Sequence, residues 1–480
     1  MSTINNEILK VEEAEKRERW YSFITAKPKP VKNPLRILGS LNRTQALTFA
    51  AAFMGWSLDA FDFHLVSLSL HDMGKDLGYT DTQMSLGITL TLLLRPVGAI
   101  IFGLLADRFG RRIPLMVDII LFSLMGLCTG FVTNLGQFVA VRAIFGICMG
   151  GEWGLGASLA METLPPEARG IFSGILQQGY ATGYLLAALI YWAVFPSLGW
   201  RALFYIGSFP ALLCILIRFF VPESEAWKQE KEKQHNSGGS SAKGWIKQTG
   251  VVFKNHWLLF IHIVILMTSL NFMSHGSQDL FPTYLKAQLG YTPSQASITV
   301  IVQNVGAIIG GTFIGWYSEY FGRRRTMALI CFIGLFIVPV WGFAGVNSYG
   351  VQILGAFLIQ FCVQGAWGIV PAFLTEISPP SIRGTFPGLT YQFGNMISSC
   401  AAQLEAALGE SFRFPDGRPN YALVQSVVLW CALSLTFIVI LFAKENSGKS
   451  FVEKTEEIVD IELNNEFDSS VNQDKKENVN

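Results

Sequence analysis

The chain has 480 residues, 51% of them hydrophobic and only 15% charged, with a mean hydropathy of +0.38. Soluble domains carry roughly 25% charged residues, so this composition excludes an ordinary water-soluble protein and fits one that crosses a bilayer many times. The formal net charge of +1 says little by itself, no nucleic-acid partner is expected, and the distribution of the charges says more.

Residues 1–44 read as a polar cytosolic tail, largely disordered, with no apolar core of a cleavable signal, so the first span is expected to serve as the insertion signal. Runs of about 20 mainly apolar residues then predict twelve spans, at 45–68, 83–105, 113–132, 137–160, 171–195, 202–221, 257–281, 295–317, 326–346, 350–374, 386–408 and 421–443. All seven cysteines (Cys128, Cys148, Cys214, Cys331, Cys362, Cys400 and Cys431) fall inside spans, which argues for small packing residues and against a disulfide or zinc framework. Lys and Arg cluster in the first tail, in DRFGRR, in the 222–256 loop, in GRRR and in the last tail. The opposite loops carry only Lys75, Arg201, Lys286, Arg413 and Arg418. The positive-inside rule therefore places both termini and the 222–256 loop in the cytosol, in agreement with an even number of spans.

The first span contains GWSLDAFDFHL, with Asp59 and Asp62 three residues apart on one helix face. Each is a candidate proton carrier, and each could equally pair helices. His64 and His71, further on, read as near-surface histidines. In the second span Arg95 of LLLRP stands near the midplane, and a guanidinium offers two parallel donors to a carboxylate. It can bind an anionic solute or pair with Asp59 or Asp62, and the two roles can coexist. That span runs into GLLADRFGRR, where Asp107 stands among Arg108, Arg111 and Arg112. An acid in a short glycine turn beside arginines can latch helix ends, whereas a stop-transfer cluster would account for the arginines alone. The fourth span carries Arg142, Gly146 and Gly150 at a spacing of four, followed by Glu162 and Arg169, which are expected to form a structural salt bridge.

The linker loop contains QEKEKQHNSGGSSAKG, a flexible polar connection. Beyond it the chain repeats itself. Asp107 returns as Glu319 and Gly110 as Gly322, each 212 residues later, within GWYSEYFGRR; Arg323 follows as its first arginine. Likewise GEWGLGASLAMETLPPEARG returns as GAWGIVPAFLTEISPPSIRG, with Trp153, Glu162 and Arg169 matched by Trp367, Glu376 and Arg383 at an offset of 214. Two motifs in the same order mean two six-helix bundles, 45–221 and 257–443, with the linker at 222–256 and a disordered tail at 444–480. The fold class is all-α integral membrane, with twelve transmembrane helices in two pseudo-symmetric halves.

The seventh span ends in NFMSHGSQDLFPT. At 100° per residue Asn271, Ser274, His275, Gln278 and Asp279 share an arc of about 140°, and Thr283 follows about 40° further round. Met273, Leu280 and Phe281 take the opposite side. A polar stripe on an apolar helix faces a water-filled cavity and marks a solute or ion route. Polar glue between helices explains Ser277, off the stripe, better than it explains His and Asp four residues apart. Gly276 and Pro282 loosen the same stretch, as a bending gate would need.

On these motifs the chain resembles the major facilitator superfamily over all twelve spans: G-x-x-x-D-R-x-G-R-R at Gly103 to Arg112, and R-x-x-x-G-x-x-x-G from Arg142. The resemblance implies alternating access, two halves rocking about a midplane site, with Asp107, Arg111, Glu319, Arg323 and Arg142 as gating residues. The pattern N-x-x-S-H-x-S-Q-D-x-x-x-T resembles the signature of the fungal lactate and pyruvate permeases, a family in the sialate–proton symporter branch. It implies plasma-membrane import of short-chain carboxylates with protons. Arg95, Asn271, Ser274, Gln278, Thr283 and Gln392 of TYQFGN are then expected to bind the substrate, and His275, Asp279, Asp59 and Asp62 to carry the proton; the sequence does not choose among these four. An imidazole ordinarily titrates near pH 6.5, suited to an acidic outside and a neutral cytosol.

The only partners expected are a small carboxylate, protons, lipid and regulatory proteins on the tails, with a functional monomer and no cofactor beyond the coupling proton. No G-x-x-x-x-G-K-[ST] pattern suggests ATP-driven pumping, and no extramembrane segment is long enough to fold around an enzyme site. Rival readings are a dicarboxylate or sugar-acid symporter on the same scaffold, and a nutrient sensor that binds without transport. Gln303, Gln360, Gln364, Gln392 and Asn395 could supply donors, but a second well-placed intramembrane arginine is lacking in the second half, which tilts the reading toward monocarboxylates.

Overall fold

The computed structural model describes residues 33–39, 41–109, 112–210, 254–343, 348–379 and 385–445. Most of both tails, most of the linker, Arg111 and Arg383 lie outside the described residues, as do the side chains of Asp107, Arg108, Arg112 and Glu162. What is described is helical apart from short turns and one isolated bridge, Arg413 to Pro419. A short turn, Pro34–Leu38, precedes α1 (Arg43–Leu77), α2 (Asp81–Phe109), α3 (Arg112–Thr129), α4 (Leu135–Met149), α5 (Glu152–Thr163) and α6 (Arg169–Gly207). The second half holds α7 (Trp257–Gln278), α8 (Pro293–Phe321), α9 (Arg323–Phe343), α10 (Tyr349–Trp367), α11 (Val370–Ile377), α12 (Thr385–Ser398), α13 (Ala401–Ser411) and α14 (Tyr421–Leu441).

Local chemistry sets these boundaries. Asn42 and Gln45 form a reciprocal capping box at the start of α1, and the helix ends on Gly78 in the left-handed region at φ 79°. Thr292 and Gln295 form a second box at α8, with Pro293 in its first turn. Among the described residues eight stretches are by themselves long and apolar enough to cross a membrane. Other spans are less apolar or interrupted for physical reasons. α1 carries Asp59, Asp62 and His64, and the eleventh span breaks between α12 and α13. The 39-residue α6 covers the fifth span and part of the sixth, turning at Gly199, whose φ of 72° a side chain would resist. Ile100, Leu124, Phe313, Phe336 and Ile438 are exposed and give the outside of the bundle an apolar wall.

The bundle has two ends. The tail end gathers the starts of α1, α6, α7 and α12 and the α8–α9 turn; the far end gathers the close of α1, the α7–α8 connection and the α13–α14 turn. Two long seams join the halves, α6 against α8 and α2 against α12 and α13. The first is glycine on glycine, since a Cβ on Gly315 would lie 2.7 Å from Cα of Gly174.

Two expectations change. α1 runs nine residues past the predicted span end, because SLHDMGKDL continues the helix although it is polar, and His64 is wholly buried against Tyr180 and Tyr184 and is not near the surface. The cysteines are not uniformly interior: Cys148, Cys331 and Cys362 are buried, whereas Cys400 and Cys431 are exposed.

Candidate functional site

The centre of the bundle is built on a buried ion pair. Nη2 of Arg95 on α2 donates to Oδ2 of Asp59 on α1 at 3.1 Å, with side-chain exposures of 1% and 0%. Around it stands an aromatic group drawn from both halves. Trp56 lies 5.5 Å from Tyr180, 6.5 Å from Trp153 and 6.3 Å from Tyr391, ring centre to ring centre. The repeat-related pair Trp153 and Trp367 flank Tyr391, at 4.3 and 5.7 Å. The Arg95 guanidinium is 6.0 Å from the Trp56 ring, and the Tyr391 hydroxyl lies close to both Arg95 and Asn395.

From Asn395 a hydrogen-bonded row leads to the seventh span. His275 sits between two partners, with Nδ1 3.0 Å from Oδ2 of Asp279 and Nε2 3.2 Å from Oδ1 of Asn395. Asn395 donates to Gln392 at 3.1 Å, and Gln392 donates to the carbonyl of Gly150 in the other half at 2.8 Å. A row of side chains thus runs from Asp279 through His275, Asn395 and Gln392 across the seam. Ser67 of α1 donates to the Asp279 carbonyl at 2.6 Å and Tyr184 of α6 to that of Gln278 at 3.2 Å, tying the end of α7 to the first half.

Buried polar atoms nearly always have partners, so those without one are informative. Among the described residues Nε of Arg95, Oδ1 of Asp59, both ring nitrogens of His64, the Tyr180 hydroxyl, Oδ1 of Asp279 and the Thr283 hydroxyl are buried and unbonded. The same holds for the amides of Gln178, Gln303 and Gln364. His64 stacks flat on Tyr184 at 3.7 Å. Of the unbonded atoms, Nε of Arg95 and the nearby Tyr180 hydroxyl are donors able to meet a carboxylate group.

The predicted residues separate into groups. Arg95 and Asp59 meet, as do His275, Asp279, Asn395 and Gln392. Asp62 turns elsewhere, within electrostatic reach of Arg142. Arg142 is buried with its guanidinium 3.8 Å from the Phe145 ring, so it joins the charge network of the first half and stands apart from the tail-end latch. Asn271 donates to the Met267 carbonyl of its own helix at 2.8 Å. Gln278 turns to Gln360 at 2.7 Å, and Gln360 donates to Ser277 at 2.8 Å. Ser274 reaches Gln278 only at 3.5 Å. Met273, Leu280 and Phe281, on the face opposite the stripe, are also fully buried, because α7 packs on α10, α12, α13 and α14.

At the tail end Arg323 binds Glu319 at 2.5 Å, Glu376 at 3.1 and 3.3 Å and the Ser318 hydroxyl at 2.8 Å. Glu376 is thus engaged by Arg323, while Arg383, the counterpart of Arg169 in the repeat and so its expected salt-bridge partner, lies outside the described residues. Glu445 accepts from the backbone N–H groups of Arg323 and Arg324. Gly170 of the first half abuts the cluster: a Cβ there would lie 2.9 Å from Cβ of Glu319. Ser173 adds bonds to the Gly368 carbonyl at 2.9 Å and the Ala372 N–H at 3.0 Å. At the far end Lys286 reaches across to Asp72 at 2.8 Å, the Leu68 carbonyl at 2.7 Å and the Tyr191 hydroxyl at 3.2 Å. The halves therefore touch on both sides of the central site.

Sequence reasoning did not single out Tyr391, Lys286 or Glu405, and read His64 as near the surface; Glu405 is fully buried. Tyr391 stood inside the quoted TYQFGN. Glu405 was the one acid in the eleventh span, and an intramembrane carboxyl is a functional candidate by default.

A family profile described as Major Facilitator Superfamily matches residues 46–403 and 270–465. The chain is 32% identical over 436 residues to a carboxylic acid transporter protein homolog of Saccharomyces cerevisiae (strain ATCC 204508 / S288c), covering 86% of this chain and 70% of that one. It is 30% identical over 356 residues to the sialic acid transporter NanX of Escherichia coli (strain K12), covering 74% and 85%. In fold it is similar to the proton:xylose symporter XylE, with a TM-score of 0.69, 19% identity and coverage of 85% and 97%.

Proposed function

Since the chain belongs to the Major Facilitator Superfamily, and is a transporter and not an enzyme, we propose that it imports short-chain monocarboxylates such as lactate and pyruvate together with protons. Acetate and propionate fall in the same class. In this reading the protein works at the plasma membrane, with the tail end cytosolic and the far end external.

The observation that carries the reading is the meeting of a buried guanidinium on one half with a buried titratable pair on the other, joined through Tyr391 and Asn395. A carboxylate leaving water needs a counter-charge and several donors. Arg95 supplies both, and the solute displaces Asp59 from one side of the fork. His275 and Asp279 hold the proton. Since His275 bonds to Asn395, and Asn395 to the Gln392 that crosses to Gly150, a change of charge at His275 alters the bonds along the seam. Rocking then exchanges the tail-end contacts, Gly170 against the Arg323–Glu319 cluster and Ser173 on Gly368 and Ala372, for the Lys286–Asp72 tie as the closed side. The similarity to a carboxylic acid transporter homolog supports the substrate class.

Proton coupling also fits the energetics. A monoanion entering against an inside-negative potential costs about 2.3 kcal/mol per 100 mV, and a proton cancels that charge while adding the pH gradient. The test is uptake of labelled lactate into vesicles under an inward proton gradient, with succinate as competitor at two pH values. Gradient-driven accumulation that pyruvate inhibits and succinate does not supports the reading. Strong inhibition by succinate moves the substrate class to dicarboxylates, and saturable binding without accumulation makes the protein a sensor.

A further inference from the structure

The eleventh span is broken. α12 ends at Ser398 and α13 begins at Ala401, and α13 carries a carboxyl, Glu405, with 0% exposure. Neither of its oxygens has a hydrogen-bond partner among the described residues. It lies against the helix that bears the titratable pair: a Cβ built on Gly276 would stand 3.0 Å from Oε1 of Glu405. Glu405 and Asp279 interact electrostatically, and Oδ1 of Asp279 is likewise buried and unbonded. Among the described residues no cation of the neighbouring elements is bonded to it. α7 contributes Asp279 and His275. α2 carries Asp81, which is held by His71 at 3.0 Å, and Arg95, which is held by Asp59. α14 presents Tyr421, bonded to Asp81, and neutral Gln425, while α13 itself adds Glu410, bonded to the Thr82 N–H.

A charged Glu405, buried without a partner and repelled by the carboxyl of Asp279, forfeits its hydration, and a proton taken up on burial removes most of that penalty. Glu405 also stands on a moving part of the proposed cycle. Its helix carries two of the cross-half ties at the far end, Ser85 to Gln403 at 3.0 Å and the Thr82 N–H to Glu410 at 3.2 Å. Opening the far end separates α13 from α2 and gives Glu405 water; closing buries it again.

We propose that Glu405 is a second proton-binding carboxyl of the transport cycle, carrying a proton beside Asp279 while the far end is closed and exchanging it when α13 parts from α2. The proposal rests on the proton-coupled reading above and extends it to a residue outside the seventh-span motif. In this scheme a deprotonated Glu405 resists closure, so the far end closes only when the proton has been loaded.

The experiment uses the full-length protein in proteoliposomes, with labelled lactate and an internal pH-sensitive dye. Glu405→Gln keeps the volume and imitates the protonated acid. Lactate–lactate exchange is expected to survive at a reduced rate, while accumulation driven by a proton gradient falls by about tenfold or more and the uptake rate loses its dependence on external pH. Glu405→Asp restores a titratable group and is expected to recover gradient-driven accumulation with a displaced pH profile. Native accumulation and an unshifted pH profile in Glu405→Gln would overturn the proposal. If Glu405→Gln fails to fold, Glu405→Asp decides: a displaced profile supports the assignment, and an unchanged one overturns it. Unmodified protein that shows no gradient-driven accumulation fails in a different way, by sinking the proton-coupled reading itself.

Discussion

Arg95 and Asp59 face each other at 3.1 Å in the middle of the bundle, each almost wholly buried, with Nε of Arg95 and Oδ1 of Asp59 unbonded. The pair is half satisfied. One side of the guanidinium is taken internally, and the other remains able to accept a carboxylate without a second positive charge in the membrane.

Arg95→Lys is expected to be far more damaging than charge conservation suggests. An ammonium keeps the ion pair with Asp59 but loses the planar fork. Losing one charge-assisted hydrogen bond is worth about 1.5–3 kcal/mol, so lactate uptake at low concentration should fall by about ten- to a hundredfold at equal surface expression. Near-normal uptake with an unchanged KM would reassign Arg95 to a structural pair.

His275→Gln keeps volume and one hydrogen bond but cannot titrate near neutrality. We expect an altered pH dependence of KM or of proton–substrate coupling, measured across about pH 5 to 7.5 to bracket the ordinary range of an imidazole. The effect should exceed that of Ser277→Ala, since Ser277 is engaged by Gln360 and by the carbonyls of its own helix. A wild-type pH profile in His275→Gln would leave His275 as a packing residue.

The tail-end cluster should govern rate rather than affinity. Glu319→Gln removes one of the two acids on Arg323 but leaves Arg95 and His275 untouched. Equilibrium binding of lactate to purified protein should stay within about twofold, whereas transport should change severalfold. A large loss of binding in correctly folded protein would refute the gate assignment.

Lys286→Gln should loosen the far end, because Asp72, Tyr191 and the Leu68 carbonyl all converge on that ammonium. A cysteine placed at Ser67, beside the Asp279 carbonyl, reports the opening. Its labelling by a membrane-impermeant thiol reagent from outside should speed up severalfold in Lys286→Gln, in a background stripped of the exposed Cys400 and Cys431. Equal labelling rates would mean that the tie does not set the conformational balance.

The spans were legible because hydropathy and span length leave few alternatives, and the repeat of GLLADRFGRR as GWYSEYFGRR made two halves readable. What stayed hidden depends on neighbours. The polar register of SLHDMGKDL concealed how far α1 continues, and the burial of His64 depends on Tyr180 and Tyr184 of another helix. The stripe on the seventh span singles out His275 and Asp279 as candidates, but helical angle alone cannot separate a residue facing a site from one facing another helix. Gln278, on the stripe, is bonded to Gln360, whereas Asn395 on a different helix meets His275. Burial of nearly every residue of α7 beyond Ile265 removes the contrast on which such a pattern depends. Arg142 was read from a motif; its burial beside Phe145 and its coupling to Asp62 required the packing of α1, α3 and α4.

The most direct test of the central claim is a pH recording on purified protein in proteoliposomes without any imposed gradient. Adding lactate outside should make the external medium more alkaline, with a proton–lactate ratio that stays the same as lactate concentration is raised. The signal should vanish in Arg95→Ala together with labelled uptake. Lactate entry with no proton movement, or proton movement that persists in Arg95→Ala, would contradict the account.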